Sequence, residues 1–327
     1  MLIDCHTHVL GFGDPKFTTV FMRQMLTCVY RTKGQLPVFR LPTDEDWRKT
    51  SYKDEPVDPK KLLYDLRDFD KIVILAWSPH RWPEGLQGTI DLSGVTDVSG
   101  PATPEKCNDY IAALVRMYPE KFLGFASVNP VFKGPKDAIE EIERAVYKLG
   151  LVGVKLYPTY QGWSPVDQDL AFPIFEKAEE LDIPVMIHMA GSSAIETPLE
   201  LSRPLLLDDV GRKFRRLKVI ISHMGIPWEK EALFLLQKHP NFYGDLSYFN
   251  GTIDRESLYR FLIGCKHYFV PLEKLFFGSD YPIYNPIELI RMLKSVNEEA
   301  ERLNKPRISE KEIDGILGKN FGRFLGL

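Results

Sequence analysis

Eight short apolar runs alternate with longer amphipathic segments along this chain. No other feature constrains the fold as much, because the alternation is the pattern of parallel strands joined by helices. The runs are Leu2–His6, Ile72–Trp77, Phe122–Ser127, Val152–Leu156, Val185–His188, Val219–His223, Phe242–Asp245 and Leu275–Ser279. Between them, Lys136–Leu149 carries Ile139, Ile142, Val146 and Leu149 at helical spacing, with charged residues between. Pro119, Pro184 and Pro240 each fall where a helix should stop before a strand begins. Eight such pairs predict one α/β domain over residues 1–327, a (β/α)8 TIM barrel, with Ser309–Leu325 as a last helical segment covering the barrel or a neighbouring subunit.

Two stretches exceed the minimal barrel. Val9–Pro59 follows the first strand and Ser78–Pro104 follows the second. Both leave the carboxyl ends of strands, where barrels of this kind build their catalytic face, so both read as lids or substrate walls. Residues 9–59 are expected to form part of the active-site wall.

Composition narrows the class of function. With 44% hydrophobic and 27% charged residues the chain can bury a large core, and a net charge of -3 supplies no basic field for nucleic acid. No apolar run approaches the roughly 20 residues that span a bilayer. Asp4 and His6 interrupt the N-terminal apolar stretch too early for a signal peptide, and the 4 cysteines form no C-x-x-C pair. The expectation is a cytoplasmic protein with a small-molecule partner, no nucleic-acid or membrane partner, and possible assembly as a homo-dimer or higher homo-oligomer. Cys5 and Cys107 read as packing residues.

The chemistry lies where the apolar runs end. His6 and His8 are two apart on a strand, so both imidazoles face one side. His188 closes the fifth run, His223 the sixth, and Asp280 follows the eighth. Packing alone does not ask for so many polar strand ends, and a shared metal site accounts for them. Three imidazoles and a carboxylate with one open position suit a single divalent ion, zinc first, with manganese or iron as alternatives.

With these residues in view, the chain resembles the amidohydrolase superfamily, in the group that includes aminocarboxymuconate-semialdehyde decarboxylases. The anchors are Asp4-Cys5-His6-Thr7-His8, Gly153-Val154-Lys155-Leu156-Tyr157-Pro158, Ile187-His188, Ser222-His223-Met224-Gly225 and Gly278-Ser279-Asp280-Tyr281-Pro282. The resemblance implies that His6, His8, His188 and Asp280 hold one metal, with His223 beside it as a substrate-polarising or proton-transferring group. An imidazole pKa near 6.5 suits that role, although His223 as a fifth ligand stays open. Asp280 doubles as the acceptor of a proton from water. Two chemistries follow: hydrolysis of an amide or lactone, taken first, and non-oxidative decarboxylation of an aromatic or unsaturated acid as the alternative. A non-catalytic metal-binding scaffold is the reading from another class.

Other positions are candidates of lower rank. Lys155 is a substrate-facing cation, an internally paired lysine, or a carbamate bridging two metals. Trp77, Tyr157 and His80 are substrate candidates, and Trp82, Trp163 and Trp228 either wall the site or pack under loops. Asp245 orients a ligating histidine or caps a helix. Arg40, Arg81, Arg203 and Arg255 are possible carboxylate clamps, while His239 and His267 are expected in solvent.

Overall fold

The computed structural model describes residues 1–9, 34–37, 42–49, 59–77, 89–91, 99–101, 103–192, 197–249 and 253–327. Eight parallel strands form one sheet in chain order: β1 (Ile3–His8), β2 (Lys71–Leu75), β3 (Phe122–Ser127), β4 (Gly153–Leu156), β5 (Val185–His188), β6 (Val219–Ser222), β7 (Phe242–Asp245) and β8 (Leu275–Phe276). The eighth strand is regular over fewer residues than its apolar run suggests. Its continuation still closes the barrel onto β1, as Cys5 N–H donates to Phe277 O (3.0 Å), Asp280 N–H to His6 O (2.9 Å) and His8 N–H to Tyr281 O (2.7 Å).

Helices follow the strands as the alternation requires, among them Pro104–Met117, Pro135–Tyr147, Phe172–Glu180, Glu229–Lys238, Arg255–His267 and Pro286–Lys294. In the helix Pro135–Tyr147 the buried face is centred on Ala138, Ile142 and Ala145, with Ile139, Val146 and Leu149 half-buried beside it. The alanines let the helix approach the sheet, which rotates the stripe from the one its larger residues suggest.

Inside the barrel, Ile3, Cys5, Val73, Leu75, Phe125, Met186, Ile220 and Phe276 form a separate apolar cluster. Phe321 joins them from the C-terminal segment, whose helices Glu310–Asp314 and Asn320–Leu325 flank a wide turn at Gly315–Lys319. That segment covers the amino ends of the strands: a Cβ on Gly318 would lie 2.7 Å from both Ile3 N and Met1 O, so only glycine permits the approach. The carboxyl ends are left for the site. Within the insertions, the helix Asp44–Arg48 and an antiparallel ribbon of Thr89–Asp91 with Ser99–Pro101 are described, and the helix Pro59–Asp65 follows the first insertion. No helix among the described residues is long and apolar enough to cross a membrane.

Candidate metal centre

Strict alternation along β1 would send Cys5 and His6 to opposite faces. A bulge prevents this: Asp4 pairs with Ile72 and Thr7 with Ile74, so two residues of β1 face one of β2. Cys5 remains in the interior cluster, while His6 and His8 reach the same mouth. Asp4, fully buried, supports the irregularity. Its Oδ1 accepts from His6 N–H (3.2 Å) and from Ser279 N–H (3.0 Å), tying the bulge to the segment after β8. Burial pushes its carboxyl up to about 7, against the hydrogen bonds from Ser279, His6 and Thr7.

The other site residues are held by equally specific backbone. After β6 the chain turns through three left-handed residues, His223 (φ 59), Met224 (φ 44) and Gly225 (φ 72). Such geometry costs a non-glycine residue about 1 kcal/mol or more. The His223 N–H is captured by Asp245 Oδ1 at 3.0 Å, which offsets that cost. Asp280 also has positive φ (56). Gly278 lets β8 lie against β1, because a Cβ there would meet the His6 Cβ at 2.8 Å.

The side chains form one hydrogen-bonded chain. His6 Nδ1 lies 3.0 Å from Asp245 Oδ2; His223 Nδ1 lies 2.9 Å from Ser247 Oγ, which donates to Asp245 Oδ1; and His223 Nε2 lies 3.1 Å from His188 Nδ1. A single set of protons satisfies all of these contacts. His6 and His188 each carry the proton on Nδ1, directed to Asp245 and His223, and His223 donates from its own Nδ1 to Ser247. That leaves the Nε2 lone pairs of His6 and His188 free. Both atoms are buried without a hydrogen-bond partner among the described residues, as is His8 Nδ1. Asp280 Oδ1 faces them, 3.3 Å from His8 Nε2 and 3.5 Å from His6 Nε2.

Buried donor atoms with unused lone pairs around a carboxylate fit a divalent cation. The tightest trio is His6, His223 and Asp280, whose donor atoms lie within 4.8 Å of one another. His8 adjoins it through Asp280, and His188 through His223. Burial holds the imidazoles of His6, His188 and His223 well below their usual protonation range, with the charge of Lys155 adding to it, so all three are neutral, and His6 and His188 keep a free Nε2 lone pair. Burial raises the Asp280 carboxyl, and His8 and Lys155 counter this.

Lys155 lies inside the barrel and is paired internally, its Nζ donating to Ser222 Oγ at 2.6 Å. Burial lowers its ammonium to about 8 while Asp245 and Asp280 act to raise it. Trp77 meets His8 edge-on at 5.4 Å and Tyr157 at 4.6 Å between ring centres. Tyr157 is buried with its hydroxyl on Ala76 O (2.9 Å). Tyr160, 4.9 Å from His188, and Tyr248, 5.6 Å from His223, extend the aromatic rim.

Several candidates fall elsewhere. Trp163 is a core residue whose indole N–H donates to Gln161 (2.8 Å). Arg203 is engaged by Glu231, and Arg255 by Glu298 and Glu299. His239 is buried rather than solvated, because Asp208 on a neighbouring helix meets its Nε2 at 2.9 Å. His80, Arg40, Arg81 and Trp82 lie outside the described residues. Sequence reasoning passed over Asp4, Ser247, Tyr160 and Tyr248. Of these, Ser247 had the clearest signal, a polar residue two beyond the polar end of β7.

A family model described as Amidohydrolase (Amidohydro_2) matches residues 3–327. Among characterised proteins, the 2-keto-4-carboxy-3-hexenedioate hydratase of Sphingobium sp. is 28% identical over 197 residues, 59% of this chain and 53% of that protein. The 2-amino-3-carboxymuconate-6-semialdehyde decarboxylase of Dictyostelium discoideum is 26% identical over 253 residues, 67% of this chain and 65% of that protein. The matches thus span between half and two thirds of these relatives' own lengths. Among solved structures, 5-carboxyvanillate decarboxylase of Novosphingobium aromaticivorans, with bound manganese and 3-methoxy-4-hydroxy-5-nitrobenzoic acid, superposes with a TM-score of 0.64 at 17% identity, covering 100% of this chain and 97% of that one. The barrel is common to both chains, the family match runs nearly end to end, and this chain belongs to the Amidohydro_2 family of amidohydrolases.

Proposed function

We propose that this protein is a metal-dependent carboxy-lyase that removes carbon dioxide from a flat, unsaturated or aromatic hydroxy acid. The observation that carries the reading is the cluster of buried imidazoles at Asp280, with His6 Nε2 and His8 Nε2 within 3.5 Å of its Oδ1 and the Nε2 atoms of His6 and His188 left without a hydrogen-bond partner among the described residues, beside the rings of Trp77, Tyr160 and Tyr248. Of the three relatives compared, two are decarboxylases and the third is a hydratase, which favours lyase chemistry over hydrolysis, the first expectation from sequence. Manganese, an alternative to zinc from the sequence, is favoured here because it is the ion in the solved decarboxylase.

His6, His8, His188 and Asp280 would hold the ion. When bound, it supplies Lewis-acid charge toward a substrate oxygen. The aromatic rim would clamp a planar substrate over the site and exclude water. Asp280, next to the reacting carbon, would relay one proton to the carbon that keeps the electron pair of the breaking carbon–carbon bond. His223, its ring fixed by Ser247 and Asp245, would orient His188 through the hydrogen bond between them.

Isotopes separate the readings. Once a panel of hydroxylated aromatic acids, unsaturated tricarboxylates, lactones and amides yields a substrate, turnover in labelled water is read by mass spectrometry. The expected result is released carbon dioxide and one solvent deuterium on carbon. Solvent oxygen in the product without carbon dioxide would overturn decarboxylation in favour of hydration or hydrolysis.

A further inference from the structure

Lys155 is the one lysine or arginine that is buried among the described residues. It extends from β4 beside Met186 of the interior cluster, at the end of the barrel where the histidines gather. Its hydrogen bond goes to a neutral partner, Ser222 Oγ, and its ammonium lies 5.2 Å from the centre of the Tyr157 ring. Ser222 pairs with His188 in the sheet and directly precedes His223, so the cation is anchored next to the cluster.

A buried ammonium is unfavourable unless negative charge lies near. Asp4, Asp245 and Asp280 are the buried carboxylates at this end of the barrel, whereas buried Glu141 and Glu299 are paired with arginines on the outer helices. With Asp245 and Asp280 ionised, Lys155 offsets one of two negative charges, so a divalent ion enters an interior whose negative charge is already half balanced. We propose that Lys155 is the internal counter-cation of the metal centre, balancing part of the carboxylate charge when no ion is held and lowering the affinity for the ion that is. Like charges repel in such an interior far more than in water, and a divalent ion feels that repulsion twice over. The proposal rests on the metal-site part of the proposed function and is independent of the reaction.

The test titrates Mn(II) into chelator-treated full-length protein and follows binding by calorimetry and stability by thermal melting. Lys155→Met, which keeps the stem and removes the charge, should bind Mn(II) about tenfold or more tightly than wild type. Its ion-free form should melt lower, and Mn(II) should raise its melting temperature by more. Ser222→Ala removes the anchor but keeps the charge, and its affinity should stay within about threefold. Lys155→Gln, which retains a hydrogen bond to Ser222, should behave as Lys155→Met. Unchanged or weaker Mn(II) binding by folded Lys155→Met would overturn the proposal, and outright loss would make Lys155 a ligand. Either variant staying unfolded at saturating Mn(II) would also overturn it, since the ion should then supply the missing positive charge. Failure of wild type to bind Mn(II) or zinc would instead bring down the metal site itself.

Discussion

At His6 the position of one proton decides whether the imidazole can ligate. The Asp245 carboxylate, 3.0 Å from Nδ1, accepts a hydrogen bond there and leaves the Nε2 lone pair for the site. Asp245 also receives the backbone N–H groups of His223 and Ser247, both at 3.0 Å, so it holds a left-handed turn and a tautomer together. Asp245→Asn keeps the size and an acceptor oxygen but can present an NH2 group to His6, which favours the opposite tautomer. The expected result is a folded protein, by circular dichroism, with divalent-ion affinity reduced roughly 10–100-fold. Unchanged affinity in a calorimetric titration would deny Asp245 this orienting role.

Among elements, the bulge in β1 matters most, and Asp4 is its support. Asp4 sits at a burial-raised pKa of about 7, above the 3.8 of an unperturbed carboxyl, so the folded state holds this proton where the unfolded state has released it. The sign follows: the group's contribution is fully present below about 3.8, declines as pH rises, and is lost through about 7. Asp4→Asn, neutral and of the same size, removes that dependence. In ion-free protein its stability relative to wild type should therefore grow between about pH 4 and pH 7, read by urea denaturation, whereas Asp4→Ala should be destabilised by about 1–3 kcal/mol because the His6 and Ser279 N–H groups lose their acceptor. A difference between Asp4→Asn and wild type that stays flat with pH would refute the shift. The bulge also marks where sequence reasoning ends. Apolar runs closed by His188, His223 and Asp280 made the strands and the site end legible, because burial and chirality leave few other ways to arrange them. In Asp4-Cys5-His6-Thr7-His8 simple alternation gave the right face for both histidines but did not reveal that Cys5 shares it. The contact of Asp245 with His6 joins residues 239 apart, and no local pattern encodes such a pair.

Across the whole molecule the two ends of the barrel do different work. The carboxyl ends carry polar, strained and electrostatically coupled residues, while the amino ends are closed by apolar packing of the C-terminal segment. Phe321 is fully buried there, its ring 5.2 Å from that of Phe276, and it completes the interior cluster below the site. Such a division lets stability be concentrated away from the chemistry, so that strain at His223 and Asp280 is tolerated. Phe321→Ala should leave a cavity against Ile3 and Phe276 and cost about 3–5 kcal/mol of unfolding free energy. The site lies at the opposite strand ends, and the interior cluster that Phe321 completes is made of apolar residues. Divalent-ion affinity of the folded variant should therefore stay within about twofold of wild type, because the backbone hydrogen bonds that seat His6 and Asp280 belong to the seam between β1 and the residues after β8. Urea melts and calorimetry on the same preparation give both quantities. A large loss of ion affinity accompanying the loss of stability would mean that the amino-end plug sets the position of β1, and that the two ends are coupled through that strand.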